Sequence, residues 1–263
     1  MLTDVQRSDF DERGFLRIGG AFSAAEAAAM QHLVWDALAR VHGIQRSDPS
    51  SWRRTHPSRL QGISETPGFV PIAGPALRGA IDALLGPGAW QVPKRWGAIL
   101  VTFPVRDRPW TVPSAVWHVD FSFALPPRPL AGVKVFTFLS DVPHQGGGTL
   151  VVAGSHRVIE RFVQGRPRAQ LENTRRTRLA LFASHPWLQD LGSATSADDR
   201  VRRFMDAEER IAGVPVRVVE LTGIAGDIVL THPWLLHCRA PNCADAPRFM
   251  RSKDIYRIAA DPA

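Results

Sequence analysis

Apolar positions near the start of the chain recur at helical spacing. Phe22, Met30, Leu33, Val34 and Leu38 follow roughly every third or fourth residue. Ser23 with Glu26 three residues on forms a capping-box signature, so a helix is predicted over Ser23 to Arg40. Residues 42–75, rich in Pro, Ser, Arg and Gly, read mostly as loop. Leu77 to Leu85 reads as a short helix stopped by Gly86 and Pro87. Beyond residue 90 the pattern changes to short β-rich runs at 98–103, 133–139, 149–152, 214–221, 227–230 and 255–258, most separated by Gly- or Pro-bearing turns. With no βαβ alternation and no internal repeat, these predict a mainly β fold, an antiparallel barrel or jelly roll. The stretch 157–217 interrupts them with 12 arginines, eight acids and helix-like segments at 169–182 and 197–211. It is too long for a structureless loop and reads as a helical insertion, with a solvated decoration and a lid as its two roles.

Composition narrows the class. Apolar residues make up 44% and charged residues 22% of the 263, which are globular values. A single domain is expected: helical support over 1–90, a β core over 91–156 and 212–263, and the insertion over 157–211. Two cysteines, Cys238 and Cys243, cannot build a disulfide scaffold and point to a reducing compartment. The N-terminal residues hold no apolar run resembling a secretory signal, and no stretch of the chain is apolar enough to span a membrane. A cytoplasmic location is therefore expected. The net charge of +7 rests on 29 arginines and only three lysines, Lys94, Lys134 and Lys253. That imbalance reads as codon bias, and no zinc-finger, RNP-type or basic-zipper pattern supports a nucleic-acid partner.

Three features carry chemistry. In Trp117-His118-Val119-Asp120, residues i and i+2 of an extended segment project to one side, so His118 and Asp120 offer an imidazole and a carboxylate to one point. The apolar run of residues 226–237 ends in His237. Two histidines and a carboxylate leave one face of an octahedral metal open and suit non-haem Fe(II), although zinc could take the same ligands. Arg248 lies 11 residues after His237 across a turn-rich link. If the two ends belong to a hairpin, a planar fork donor stands beside the metal, shaped to hold a carboxylate.

At these residues the chain resembles the phytanoyl-CoA dioxygenase family. The matching stretches are WHVD (117–120), GGGTLVVAGSH (146–156), GDIVLTHPWLLH (226–237) and PNCADAPR (241–248), with weaker likeness at 10–23 and 84–88. The resemblance implies a double-stranded β-helix holding Fe(II) through His118, Asp120 and His237. It implies 2-oxoglutarate as co-substrate, O2 as oxidant, and pairing of Arg248 with the distal carboxylate of 2-oxoglutarate. Phe136, or its neighbour Thr137, matches an aromatic position beside the co-substrate. The implied reaction hydroxylates a small molecule with release of succinate and CO2. Because Asp120 keeps the carboxylate that related halogenases lack, halogenation is not expected. Two departures stand out: the family's PGSH reads Ala153-Gly154-Ser155-His156, and residues 97–104 hold no Asn or Gln to contact the co-substrate.

The remaining candidates have plainer readings. His156 reads as a loop-fixing residue, and His232 should face away from the side His237 uses. Cys238 reads as core filling, while Trp117 and Trp234 fit a site wall or a core equally. HExxH, GxSxG, Walker A and GxGxxG are absent. Arginines of the insertion, Arg175, Arg176 and Arg178 among them, suit an anionic substrate. Competing classes are a cupin-type isomerase or lyase, a non-catalytic binding module and a nucleic-acid demethylase. The sequence leaves the oligomeric state open.

Overall fold

The computed structural model describes residues 2–105, 108–194 and 197–258. Helix α1 (Asp4–Arg13) starts at a capping box between Thr3 and Gln6 and stops at Gly14, whose φ of 84° only glycine adopts without strain. Strand β1 (Phe15–Ile18) follows, and then α2 (Ala24–His42), which ends two residues beyond the predicted Arg40. The expected Ser23–Glu26 capping box is present, and Gly43 at φ 66° ends the helix. The 42–75 region contains three short 3-10 turns and leads into α3 (Pro75–Leu85).

Among the described residues, nine strands form two antiparallel sheets. The five-stranded sheet runs in the order β1, β7 (Ile228–Thr231), β3 (Gly132–Phe138), β9 (Arg248–Tyr256) and β2 (Ala98–Thr102). The four-stranded sheet runs β5 (Glu209–Ile211), β6 (Val214–Leu221), β4 (Thr149–Ala153) and β8 (His237–Arg239). Strand β3 is buried along its whole length, which explains its nearly unbroken apolar run. Its side chains alternate: Val133 and Val135 join the core formed with α2 and α3, while Phe136 and Phe138 enter the space between the sheets.

A third core lies behind the four-stranded sheet. There Leu150, Val152, Val214, Val216 and Val218 meet the helices of the insertion through Val158, Ile159, Leu181, Trp187 and Leu188. The insertion is built from α4 (Ser155–Val163), α5 (Arg168–Leu171), α6 (Thr174–Ala183), α7 (Pro186–Leu191) and α8 (Ala197–Val201). The layers are thus helices, sheet, sheet, helices.

Three expectations need correction. Helices contribute more residues than strands, so the chain is mixed rather than mainly β. The two sheets also remain separate ladders, and among the described residues no strand belongs to both, so they do not close into one barrel. The helix-like stretch at 197–211 also divides: after α8 and a π-helical turn at Arg202–Asp206, the chain enters β5. The cause is local. Ala212 and Gly213 both adopt positive φ (48° and 77°), the signature of a two-residue hairpin turn that pairs Ile211 with Val214.

Gly154-Ser155-His156 ties three parts of the fold together. Ser155 Oγ accepts from the Leu236 amide at 2.9 Å, and Gly154 N donates to Arg13 O at 3.0 Å. The His156 ring lies so close to Gly14 that a Cβ there would come within 2.5 Å of its Nδ1. It also packs on His232 with ring centroids 4.7 Å apart. His156 is therefore the loop-fixing residue expected. Burial pushes its pKa down to about 4, and burial likewise holds His232 well below the usual histidine value.

In the unfolded chain both rings take up protons near pH 6.5, whereas the folded state keeps them neutral. Their contribution is thus intact above pH 6.5 and lost as pH falls toward 4. His156 alone should remove about 3 kcal/mol of stability between pH 7 and pH 4. Denaturant unfolding at stepped pH checks this; stability that stays level across that window would refute the buried neutral pair.

Candidate metal centre

Backbone pairing builds the centre. His118 lies outside the named strands yet forms an isolated antiparallel bridge with His237, the first residue of β8. His118 N donates to His237 O at 3.0 Å, and His237 N donates to His118 O at 2.9 Å. The two imidazoles are thereby set with ring centroids 4.4 Å apart. In the same way each ring is oriented from its own chain. Nδ1 of His118 lies 2.8 Å from Val116 O, and Nδ1 of His237 lies 2.9 Å from Leu235 O. A proton on Nδ1 satisfies each carbonyl and turns Nε2, the candidate ligand atom, toward Asp120.

Asp120 completes the group. Its Oδ2 lies 3.1 Å from His237 Nε2, its Oδ1 lies 3.6 Å from His118 Nε2, and the three candidate ligand atoms fall within 4.8 Å of one another. Burial opposes the charge on Asp120, but His237 and Lys134 outweigh it and hold the carboxyl well below the usual range. Burial, reinforced by His237, lowers His118 and keeps that imidazole neutral and able to ligate at neutral pH.

Lys134 was not anticipated. It stands on β3 with Nζ 2.6 Å from Asp120 Oδ2 and 3.1 Å from Asp254 Oδ1. Its signal in the sequence is a lysine inside an otherwise apolar strand. His56, in the loop before α3, also lines the cavity, and burial together with Arg239 and Arg248 pushes it down to about 4. No motif marks it.

Arg248 opens β9 opposite Thr102 of β2. Nη2 donates to Thr102 Oγ1 at 2.7 Å and Nη1 reaches Met250 Sδ at 3.3 Å, while Nε has no partner. The guanidinium is fully buried without a carboxylate among its contacts, and burial pushes its pKa down to about 9. Glu220 acts on it only from a distance, and a buried cation with an unpaired Nε is costly, so the arrangement fits an anion. Arg248 does not reach the cavity by a hairpin from His237, as the spacing suggested. The two residues open strands in different sheets, and the link between them crosses from one to the other. Buried Asn242 fixes that crossing: its Nδ2 donates to Thr102 O and Ala246 O, both at 2.9 Å, and its Oδ1 accepts from Ala244 N at 3.1 Å.

His118, Asp120, His237, Arg248, Lys134 and Phe136 line one cavity of about 430 Å³. Phe136 meets the His237 ring edge to face at 5.8 Å. Thr137, next on β3, turns to the opposite face and is not among the lining residues. Gln61 lines the cavity, but its amide is occupied by the backbone of Ile99.

No lining residue comes from 157–211. That segment supports the centre from behind. Buried Arg200 donates to Val112 O and Pro113 O and to carbonyls at the end of α7, fixing the approach to the WHVD stretch. Trp117 and Trp234 lie in the core on that side rather than in the site wall. Cys238 is buried in the same core.

Comparisons agree with this geometry. The family model for phytanoyl-CoA dioxygenase (PhyH) matches residues 108–250. A sequence search of curated proteins returns no match. Similar solved structures include AviO1 from Streptomyces viridochromogenes Tue57, at 17% identity and TM-score 0.56, with 100% of each chain covered. HygX from Streptomyces hygroscopicus, solved with nickel and 2-oxoglutarate, is 18% identical with TM-score 0.52, over 98% of this chain and 88% of that one. The epimerase SnoN, in complex with Fe3+, alpha ketoglutarate and nogalamycin RO, is 16% identical with TM-score 0.52, over 97% of this chain and 83% of that one. At such identities the likeness speaks for the fold alone. The family match covers more than half of the sequence and contains every candidate ligand together with Arg248, so the chain belongs to the phytanoyl-CoA dioxygenase (PhyH) family.

Proposed function

We propose that the chain is an Fe(II)- and 2-oxoglutarate-dependent oxygenase that hydroxylates a small molecule. The observation that carries this reading is a buried guanidinium with no acidic partner in the cavity that gathers two imidazoles and a carboxylate. His118, Asp120 and His237 would hold the iron, and the three donors suit Fe(II) in kind and number. Bound iron with 2-oxoglutarate and O2 supplies the oxidation of a C–H bond, with release of succinate and CO2.

The chain's own residues bind and orient. Arg248 would grip the distal carboxylate of 2-oxoglutarate through its free Nε and terminal nitrogens, and Thr102 keeps the fork in place. Phe136 would flank the co-substrate and, with Leu100 and Val101, keep water from it. In this reading the two facing sheets are an open form of the double-stranded β-helix. Retention of the Asp120 carboxylate leaves no vacant ligand position for a halide and favours hydroxylation. Epimerisation and ring closure, named for the similar structures SnoN and SnoK, remain the competing outcomes of the same oxidation. The partner would be a small molecule, as for SnoN, rather than a nucleic acid. Both cysteines are unpaired, in keeping with a cytoplasmic setting. Among the described residues no single helix is long and apolar enough to cross a membrane.

Succinate formation from 2-oxoglutarate with added Fe(II), in air and without oxygen, tests the reaction. Wild-type protein should form succinate only in air. Asp120→Ala should lower turnover at least about hundredfold, and full activity in that variant would exclude the metal centre. Arg248→Gln should raise the KM for 2-oxoglutarate roughly 30-fold or more, with iron binding unaffected. Asn242→Ala, which removes the tie on the crossing link, should cost about 1–3 kcal/mol of stability and raise the same KM; denaturant unfolding and steady-state kinetics measure both.

A further inference from the structure

Beside the metal cavity lies a second, wider hollow of about 720 Å³, and the two share Gln61 and Ser252. Its walls come from the outer half of β9, including Ser252, Lys253, Asp254 and Tyr256, and from the stretch carrying Lys94 and Arg95. The charges in this hollow pair unevenly. Glu65 is engaged by Arg95, and Asp254 by Lys134. Lys94 and Lys253, which also line the hollow, form no ion pair among the described residues.

Composition makes their position informative. Positive charge in this chain is supplied by 29 arginines and only three lysines, Lys94, Lys134 and Lys253. All three lysines line this hollow or the metal cavity beside it. The chain's single tyrosine, Tyr256, lines the hollow too, 56% exposed, its ring 4.7 Å from that of Phe121. Codon bias accounts for the arginines but gives no reason for the exceptions to gather at one place. A lysine differs from arginine in the way a ligand site can use: a compact ammonium on a flexible stem follows an oxyanion without demanding a planar partner. An exposed aromatic face offers a ring the complementary contact. Arg176 and Arg178 of the insertion line other hollows, Arg178 beside Val116 and Trp117.

We infer that this hollow is the outer half of the substrate site, and that it takes a ring-bearing small molecule with an oxyanionic group, a carboxylate or a phosphate monoester. Lys94 and Lys253 hold the oxyanion, Tyr256 supports the ring, and the Ser252 boundary admits the carbon to be oxidised toward Asp120 and the two histidines. The inference rests on the oxygenase reading of the adjoining cavity for the word substrate, and on the hollow's own residues for the chemistry of the ligand.

Calorimetric titration of anaerobic protein loaded with Fe(II) and 2-oxoglutarate tests it, the co-substrate blocking Arg248. The probes are 2-naphthoate, 2-naphthyl phosphate and neutral 2-naphthol. Both anions should bind about tenfold or more tightly than 2-naphthol, and the Lys94→Gln/Lys253→Gln variant should lose about that factor for the anions alone. The tighter of the two anions identifies the oxyanion. Tyr256→Ala should weaken all three probes, and Arg175→Gln/Arg176→Gln none. Unchanged melting temperature and 2-oxoglutarate affinity show that the variants remain folded. The inference is overturned if no probe binds, if 2-naphthol binds as well as the anions, or if the double lysine variant keeps its affinity for both. Because binding needs no turnover, intact probe binding without succinate formation would defeat the oxygenase reading and leave the ligand assignment standing; succinate formation without selective binding would do the reverse.

Discussion

Two backbone hydrogen bonds between His118 and His237 set everything else in the centre. They join residues 119 positions apart, and they do so with the main chain, leaving both imidazoles for other work. The pair exists because β8 is held in the four-stranded sheet by β4, with Val151 opposite His237, and because Ser155 fixes the amide of Leu236 just before it. A ligand placed by strand register is positioned far more tightly than one on a free loop, since a slip of one residue would turn it to the other face.

The same economy governs the layers. The inter-sheet space is apolar at one end, where Phe138, Val151, Leu221 and Met250 meet, and polar where Asp120, Lys134 and Arg248 project. Alternation along β3 and β9 produces both zones from continuous strands: Lys134, Phe136 and Phe138 on one, Arg248, Met250 and Ser252 on the other. The apolar end anchors the sheets against each other. The insertion closes the opposite face of the four-stranded sheet, and Arg200 carries that support to the WHVD stretch. Each donation from buried Arg200 also satisfies a carbonyl acceptor, at the end of α7 or at residues 112–113.

What the sequence made legible was local. The capping box of α2, the alternation in His118-Val119-Asp120 and the apolar run ending at His237 each concern a few neighbouring residues, and each reappears in the structure. What it hid was non-local. The link from His237 to Arg248 has the composition of a hairpin, yet it crosses between sheets because β9 finds its partners in β2 and β3. Strand β8, with three residues, is too short to show a period. Helix α1 carried a legible Thr3–Gln6 cap but has only one buried residue, Phe10, so apolar periodicity could not reveal it. Lys134 was visible as an oddity in an apolar strand, whereas His56 gave no sign, since its role comes from where its loop folds back.

Charge distribution gives the centre its direction. Around Asp120 stand Lys134 at 2.6 Å and, on the same cavity wall, Arg239 and Arg248. Arg239 is exposed to solvent, Lys134 is shared with Asp254, and buried Arg248 feels Glu220 without touching it. A divalent metal alone would worsen the excess of positive charge. In the proposed reading a metal together with a dianion would relieve it: the anion would pair with Arg248, whose Nε is left open, and Asp120 would help hold the metal. His56, kept neutral beside these cations, adds no further positive charge at the rim. In that reading the cavity would take both groups together, with the buried Arg248 as the residue that receives the dianion.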